Sequence, residues 1–363
     1  MLNARRLVLG TALLALLAGT ARAQSQQPAP SGPSISVGAL SYFQYYYMLN
    51  KNVNGINANN FQLTRAYINI LAKLGGGVSA RITPDIYQLA SDSTLNYRLK
   101  YAYVGYNPSG GPLTWKFGVT QTPLLDWEEA LWDYRVQGTM PMERNGYVSS
   151  SDLGAAVDGN FNHEKVDLQL GVYNGETYAK SNTGDQGKDV MGRVSFRLMD
   201  TDNDSRVGGL RLTVYGQYGQ PNGGGGARDR FLGMVSYRSN TVLLAGEYGI
   251  TTDSTHTTAK KTGAVGSVYG WYQLGGKGGK LRVIGRVDRW DPSDKVSKDE
   301  QIRTIVGVAY HVTSNFRVLA DWDNVKFASD GVATPPPAGT AGPPSTATKS
   351  TASQALLQLQ FNF

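Results

Sequence analysis

The chain has 363 residues, with 35 Lys and Arg against 28 Asp and Glu, 44 glycines, 21 tyrosines and no cysteine. The formal charge of +7 is too small and too dispersed to point to nucleic acid, and the missing cysteines exclude a disulfide framework. Mean hydropathy is -0.31, which speaks against a bundle of membrane helices but suits a wall whose alternate residues face water.

The N-terminus has the form of an export signal. Arg5 and Arg6 precede an apolar run, Leu7 to Leu17, too short to span a bilayer. Ala21-Arg22-Ala23 then offers the small-x-small pattern of a signal-peptidase site. Residues 1–23 are therefore expected to be a cleaved signal peptide, with Gln24 the first residue of the exported chain. A short membrane anchor is the competing reading, and no stop-transfer pattern follows to support it. Loss of Arg5, Arg6 and Arg22 leaves 32 bases against 28 acids, a charge of +4. Residues 24–34, with Pro28, Pro30 and Pro33, read as a flexible leader. Beyond Gln24 no apolar run approaches the roughly 18 residues of a membrane helix.

From Ile35 to Phe363 strand-like segments alternate with turn clusters. The segments are 35–48, 60–74, 77–89, 94–107, 112–121, 150–161, 164–174, 188–199, 206–219, 229–239, 241–252, 262–274, 280–291, 301–312, 315–328 and 352–363. They number about sixteen, and single-chain bacterial barrels have an even number. Their connections sort by length. Gly75-Gly76, Pro108 to Gly111, Asn162-His163, Asp200 to Ser205, Ser239-Asn240, Gly275 to Gly279 and Thr313-Ser314 are short, as periplasmic turns are. The alternate connections, 49–59, 122–149, 175–187, 220–228, 253–261, 292–300 and 329–351, have the length of extracellular loops, and 90–93 alone is short on that side.

Side-chain alternation agrees. Leu357, Leu359, Phe361 and Phe363 share one face and Gln358, Gln360 and Asn362 the other. Ile302, Thr304, Val306, Val308 and Tyr310 likewise oppose Gln301, Arg303 and His311. One apolar and one polar face is what a wall between lipid and water needs. The expected fold class is all-β: an antiparallel transmembrane β-barrel of about sixteen strands over 35–363. A soluble sandwich or β-helix would alternate too, but would not sort its connections by length. Tyr42, Phe43, Tyr45, Tyr46, Tyr47, Tyr101, Tyr103, Tyr106, Tyr237, Tyr248, Tyr269, Tyr272 and Phe363 fall mostly near strand ends, where aromatic girdles meet the two interfaces. The final strand ending on Phe363 has the form that outer-membrane assembly machinery recognises.

Taking the apolar set of each strand as lipid-facing turns the bases inward. Arg65, Asn69 and Lys73 oppose Ile68, Ile70 and Leu74, and Arg81, Thr83 and Asp85 oppose Ile82 and Ile86. With Leu99, Tyr101 and Tyr103 outward, Arg98 and Lys100 point in. The same rule places Lys116, Arg193, Arg197, Arg211, Lys280, Arg282, Arg286, Arg303 and Arg317 in the lumen, with the acids Asp158, Asp167, Glu247, Asp288, Asp321 and Asp323. A Lys or Arg aimed at lipid near the midplane costs about 2–4 kcal/mol, so the alternation is enforced. Lumenal guanidinium groups draw in anions, and each offers a fork for carboxylate or phosphate. The competing reading pairs each Arg with an inward acid that merely stiffens the wall. The surplus of bases favours anions.

The segment 122–149 is the expected constriction. Leu124 to Tyr134 reads as a short helix anchored by Leu125, Trp127 and Leu131. Asp126, Glu128, Glu129, Arg135, Glu143 and Arg144 would place mixed charge at the narrow point. An external loop covering a neighbouring subunit is the alternative. Nothing supports catalysis: the histidines are His163, His256 and His311, and no serine pairs with them by sequence. No His/Cys cluster suggests a metal. Gly223 to Gly226 lacks the Lys and following helix of a phosphate loop. No cofactor is expected.

Ordered motifs carry a family resemblance. Phe61-Gln-Leu-Thr-Arg65-Ala-Tyr67-Ile-Asn69, Leu99-Lys100-Tyr101-Ala-Tyr103, Phe117-Gly118 and Thr122-Pro123 look like the early strands of the phosphate-selective porin O and P family. So do Trp132-Asp-Tyr134-Arg135-Val-Gln-Gly138-Thr139, Ser149-Ser-Ser-Asp152-Leu-Gly154 and Gly171-Val-Tyr173-Asn174-Gly175-Glu176. The resemblance spans most of 60–200 and implies a sixteen-stranded homotrimeric porin that takes up anions. Such a porin sits in the Gram-negative outer membrane among lipid and lipopolysaccharide, inserted by the barrel assembly machinery. Phosphate-specific members have dense basic ladders and loop arginines. Here the bases are spread around the wall, and Asp126, Glu128, Glu129 and Asp133 stand in the loop. The resemblance thus implies fold and channel more directly than phosphate as the solute. A non-conducting structural or adhesin barrel is the alternative function, and a barrel-embedded hydrolase a third.

Overall fold

The computed structural model describes residues 32–51, 55–88, 94–179, 187–221, 225–255, 257–328 and 351–363. The expected signal peptide, most of the leader, the loop 90–93, nearly all of 329–351 and His256 lie outside the described residues. The strands are β1 (Ser34–Met48), β2 (Asn59–Gly75), β3 (Val78–Gln88), β4 (Leu95–Tyr106), β5 (Leu113–Gln121), β6 (Ser151–Phe161), β7 (Val166–Tyr173) and β8 (Asp189–Met199). They continue as β9 (Gly209–Gly219), β10 (Ala227–Arg238), β11 (Val242–Ser254), β12 (Lys261–Leu274), β13 (Leu281–Asp291), β14 (Gln301–His311), β15 (Phe316–Phe327) and β16 (Thr351–Asn362). Every expected segment is a strand, with ends within three residues of the sequence reading.

Each strand pairs antiparallel with its sequence neighbours, and β1 pairs with β16 from Leu40↔Asn362 to Met48↔Gln354. The sheet therefore closes on itself and leaves no edge to template aggregation. Turn chemistry sets the register. Gly75, Gly76 and Gly77 all adopt positive φ between β2 and β3; a Cβ on Gly77 would lie 2.0 Å from the Asn107 carbonyl oxygen, so only glycine fits there.

The wall is apolar outside and polar inside. Phe117 (72% exposed), Val268 (58%) and Val306 (49%) are open on the outer face, whereas Asp85, Arg211 and Gln358 are fully buried on the inner one. No described helix is long and apolar enough to cross a membrane; the strands form the wall.

Several aromatic residues expected to face lipid or an interface lie on the inner face instead. On β4, Thr83↔Tyr101 is followed by Pro84↔Leu99, so Lys100 is an extra residue, a β-bulge. The bulge reverses the face of everything after it. Arg98 and Lys100 point inward, and so do Tyr101 and Tyr103, which carry cations of the inner wall on their rings. Tyr101 and Tyr103 therefore do not face lipid. Pro84 opposite the bulge has no N–H to offer the ladder, which suits the break in pairing. Tyr42 and Tyr269 are likewise buried on the inner side and not in a girdle. The inner face of the first four strands is consequently richer in tyrosine than period-two reading gives.

Candidate functional site

The segment between β5 and β6 lies inside the barrel. Thr122 follows β5 and caps the next helix, its hydroxyl donating to the Ser149 carbonyl, which draws the two ends of the segment together. Pro123 starts helix α1 (Pro123–Leu131), where its fixed φ is favourable and its missing N–H costs nothing. A 3₁₀ turn at Arg135–Gln137 and a one-turn helix at Pro141–Arg144 follow. Leu124, Leu125, Trp127, Leu131, Trp132 and Tyr134 are buried in one cluster with wall residues such as Tyr215, Tyr269 and Trp271. Trp132 meets Tyr269 edge-on at 5.5 Å.

Backbone carbonyls taken out of water need donors, and wall arginines supply them. Arg193 on β8 donates to Pro123 O at 3.1 Å, and Arg206 to Asp126 O at 2.8 Å. The last turn of α1 contains no base. Arg238 on β10 takes that place, donating to Ala130 O and Leu131 O at 3.1 and 2.7 Å and to the Asp133 carboxylate at 3.1 Å. A cation there also complements the negative end of the helix dipole. Arg282 reaches Asp133 at 3.2 Å, Arg317 donates to Asp133 O, and Arg286 donates to Thr139 O at 3.0 Å. Gln358 on β16 donates to Val136 O at 2.9 Å. The tail of the segment is held by Arg230 to Tyr147 O and by the Trp290 indole to the Tyr147 hydroxyl.

The charged residues of the segment are mostly compensated. Arg135 pairs with Glu129 at 2.8 Å and Glu143 at 3.1 Å and donates to the Tyr67 hydroxyl. Burial pushes the Glu143 carboxyl up, but Arg135, Lys100 and Arg65 outweigh it and hold it below the usual carboxylate range. Asp126 pairs with Arg206 at 2.7 Å, and Arg144 with Asp288 at 2.7 Å. Glu128 has no basic partner among the described residues.

The wall bases divide into two groups. Arg65 and Arg98 share Asp85, Lys116 pairs with Asp158, Arg193 with Asp167, Arg197 with Asp200, Arg282 with Asp133, Arg286 with Asp288 and Arg303 with Asp323. Several of these also hold the inner segment, so they are buttresses as well as charges. Lys73, Arg81, Lys100, Arg211 and Arg317 have no carboxylate partner among the described residues. Arg81 lies over Tyr101 at 4.2 Å and donates to Asn69 and Thr83. Lys100 bonds the Ser150 hydroxyl. Arg211 is buried against turn carbonyls, donating to Gly208 O at 2.9 Å, while Lys73 is exposed and Arg81 and Arg317 half-buried.

Three anchoring arginines were missed: Arg206, Arg230 and Arg238. Parity reaches two of them, since Phe231, Val235 and Tyr237 outward leave Arg230 and Arg238 inward. Arg206 sits in the β8–β9 turn, where no period applies.

No family model matches the sequence, and no curated protein does. Solved structures do match. An anion-selective porin from Comamonas acidovorans has a TM-score of 0.69 at 15% identity, over 91% of this chain and all of that one. The trimer form of OmpT, an outer membrane protein of Vibrio cholerae, gives 0.63 at 12% over 92% of this chain and all of its own. The outer membrane channel DcaP of Acinetobacter baumannii gives 0.58 at 12% over 93% of this chain and all of its own. At these identities the likeness establishes the fold.

Proposed function

We propose that the chain is an outer-membrane porin, a passive channel for small hydrophilic solutes with a preference for anions. The carrying observation is the inner wall: Lys73, Arg81 and Arg317 are in contact with water and have no carboxylate partner among the described residues, beside a segment whose charges are largely paired. A low-dielectric wall around such charges concentrates anions. The segment 122–149 is the constriction, exported chains begin after residue 23, and three copies form the working unit. Support comes from the signal-like N-terminus, from porins and channels among the structural neighbours, and from the trimer form of one of them. Phosphate is one candidate solute among small anions. The competing reading, a plugged structural or adhesin barrel, draws on the burial of Arg193, Arg211 and Arg286 around the segment.

Planar-bilayer recording separates the two readings. The proposal expects unit conductance steps and a reversal potential on the anion side in a salt gradient; a silent bilayer favours the plug. Lys73→Glu with Arg81→Glu should shift that potential toward cations, more at low salt than at 1 M, where the Debye length is about 3 Å. An unchanged potential removes these two bases from the permeation path.

Topology is tested on whole cells, because the chain has no cysteine of its own. Asp294→Cys, on the long-loop side between β13 and β14, should react with an impermeant maleimide. Gly278→Cys, in the turn between β12 and β13, should stay silent until the cells are lysed. The reverse pattern would invert the barrel.

A further inference from the structure

Glu128 leaves α1 toward the wall and meets Glu247 of β11 within hydrogen-bond reach. Glu128 is fully buried and Glu247 nearly so. Among the described residues no donor reaches the Glu128 carboxyl oxygens, and the Tyr269 hydroxyl is the donor that faces Glu247. The groups facing the pair are few. They are Tyr215 from β9, Tyr269 from β12, Arg286 and Asp288 from β13, and Glu143 from the segment itself. The cation among them is already engaged, since Arg286 donates to Asp288 at 2.8 Å and to Thr139 O at 3.0 Å. Two ionised carboxylates in so dry a seam would repel, and Glu128 would stand unsatisfied. With one proton between them, the same geometry becomes a hydrogen bond. Burial, reinforced by the neighbouring Glu247, holds the Glu128 carboxyl well above the usual carboxylate range.

We propose that Glu128 and Glu247 form a proton-sharing carboxyl pair that latches α1 against β11, and that loss of the proton frees the segment and widens the passage. The widening rests on the porin reading above. The seated segment binds a proton that the freed one gives up, because a glutamate in water titrates near about 4.3. Raising the pH therefore favours release. Asp288 and Glu143 do not supply a second latch of this kind, since each is compensated by an arginine.

The test compares the parent with Glu128→Gln and Glu247→Gln, each of which puts an amide donor where the shared proton was. Single-channel conductance of the parent should rise roughly two-fold or more between about pH 5 and about pH 9, well above the range of an exposed carboxylate. Both Gln variants should hold the low value throughout. A second measurement needs no current. Leu131→Cys places a thiol at a fully buried site of α1. Its maleimide labelling should accelerate with pH more steeply beside Glu128 than beside Glu128→Gln, a comparison that cancels the thiol's own ionisation. Equal labelling ratios and matching conductance profiles would overturn the latch. A bilayer silent at every pH would overturn the channel reading, with the labelling ratio still deciding the latch.

Discussion

Arg193→Ala and Arg286→Ala should each raise single-channel conductance and make it noisier, because both arginines hold the inner segment in place. Arg193 is fully buried, lies over the Trp127 ring at 4.4 Å, and joins Asp167 to the Pro123 carbonyl. Arg286 joins Asp288 to the Thr139 carbonyl. Removing one partner of a buried pair costs about 3–5 kcal/mol, since the other is left uncompensated. Here that penalty acts between segment and wall, so it appears as release of the segment before it appears as loss of the barrel. The barrel itself should persist, with unchanged strand content by circular dichroism and heat-modifiable migration. Lysine at either position should restore little, because one ammonium cannot reproduce a guanidinium that spans two acceptors. Conductance equal to the parent in both variants would show that the segment does not limit flow.

This expectation differs from one built on alternation alone. Alternation counts Arg65, Arg98, Arg193, Arg282 and Arg286 as equivalent lumenal charges whose field sums. The geometry does not treat them alike: Arg193 and Arg286 sit under the segment, and Arg65 and Arg98 share Asp85. Changing any of them perturbs shape as well as field, which is why Lys73 and Arg81 are the cleaner probes of selectivity.

What the sequence makes legible follows from how local each signal is. Strand number, strand ends and closure rest on period-two patterning and connection length, both properties of neighbouring residues. The inward placement of Arg193, Arg211, Arg282 and Arg303 is legible for the same reason. The bulge at Lys100 is not, because Leu99, Tyr101 and Tyr103 satisfy an apolar outer face equally well. Only the pairing with Thr83 and Pro84 decides it. The apolar anchors of α1 are legible as a helix stripe, Leu125, Trp127 and Leu131, but their partners on β9 and β12 are distant in sequence. The Glu128–Glu247 contact is of that kind. Each residue alone reads as a solvated acid, and their chemistry arises only when the segment is folded into the lumen.

The outer face makes the other large prediction. Val268 lies mid-strand on β12 and Val306 mid-strand on β14; both point outward and both are half-exposed or more. If that face meets hydrocarbon, Val268→Arg or Val306→Arg should cost about 2–4 kcal/mol of folding into a bilayer. At 1.4 kcal/mol per decade, that is about thirty-fold to nearly a thousand-fold in the folding equilibrium. Val→Leu at the same positions preserves the apolar surface and should fold like the parent. The measurement is the denaturant midpoint of folding into vesicles, read by heat-modifiable migration. A soluble barrel would behave otherwise, because arginine on a water-facing strand changes stability by little. Parent-like folding of both Arg variants in vesicles would therefore withdraw the lipid assignment of this face. With it would go the membrane argument built on alternation, while the closed sixteen-strand sheet, which rests on strand pairing, would stand.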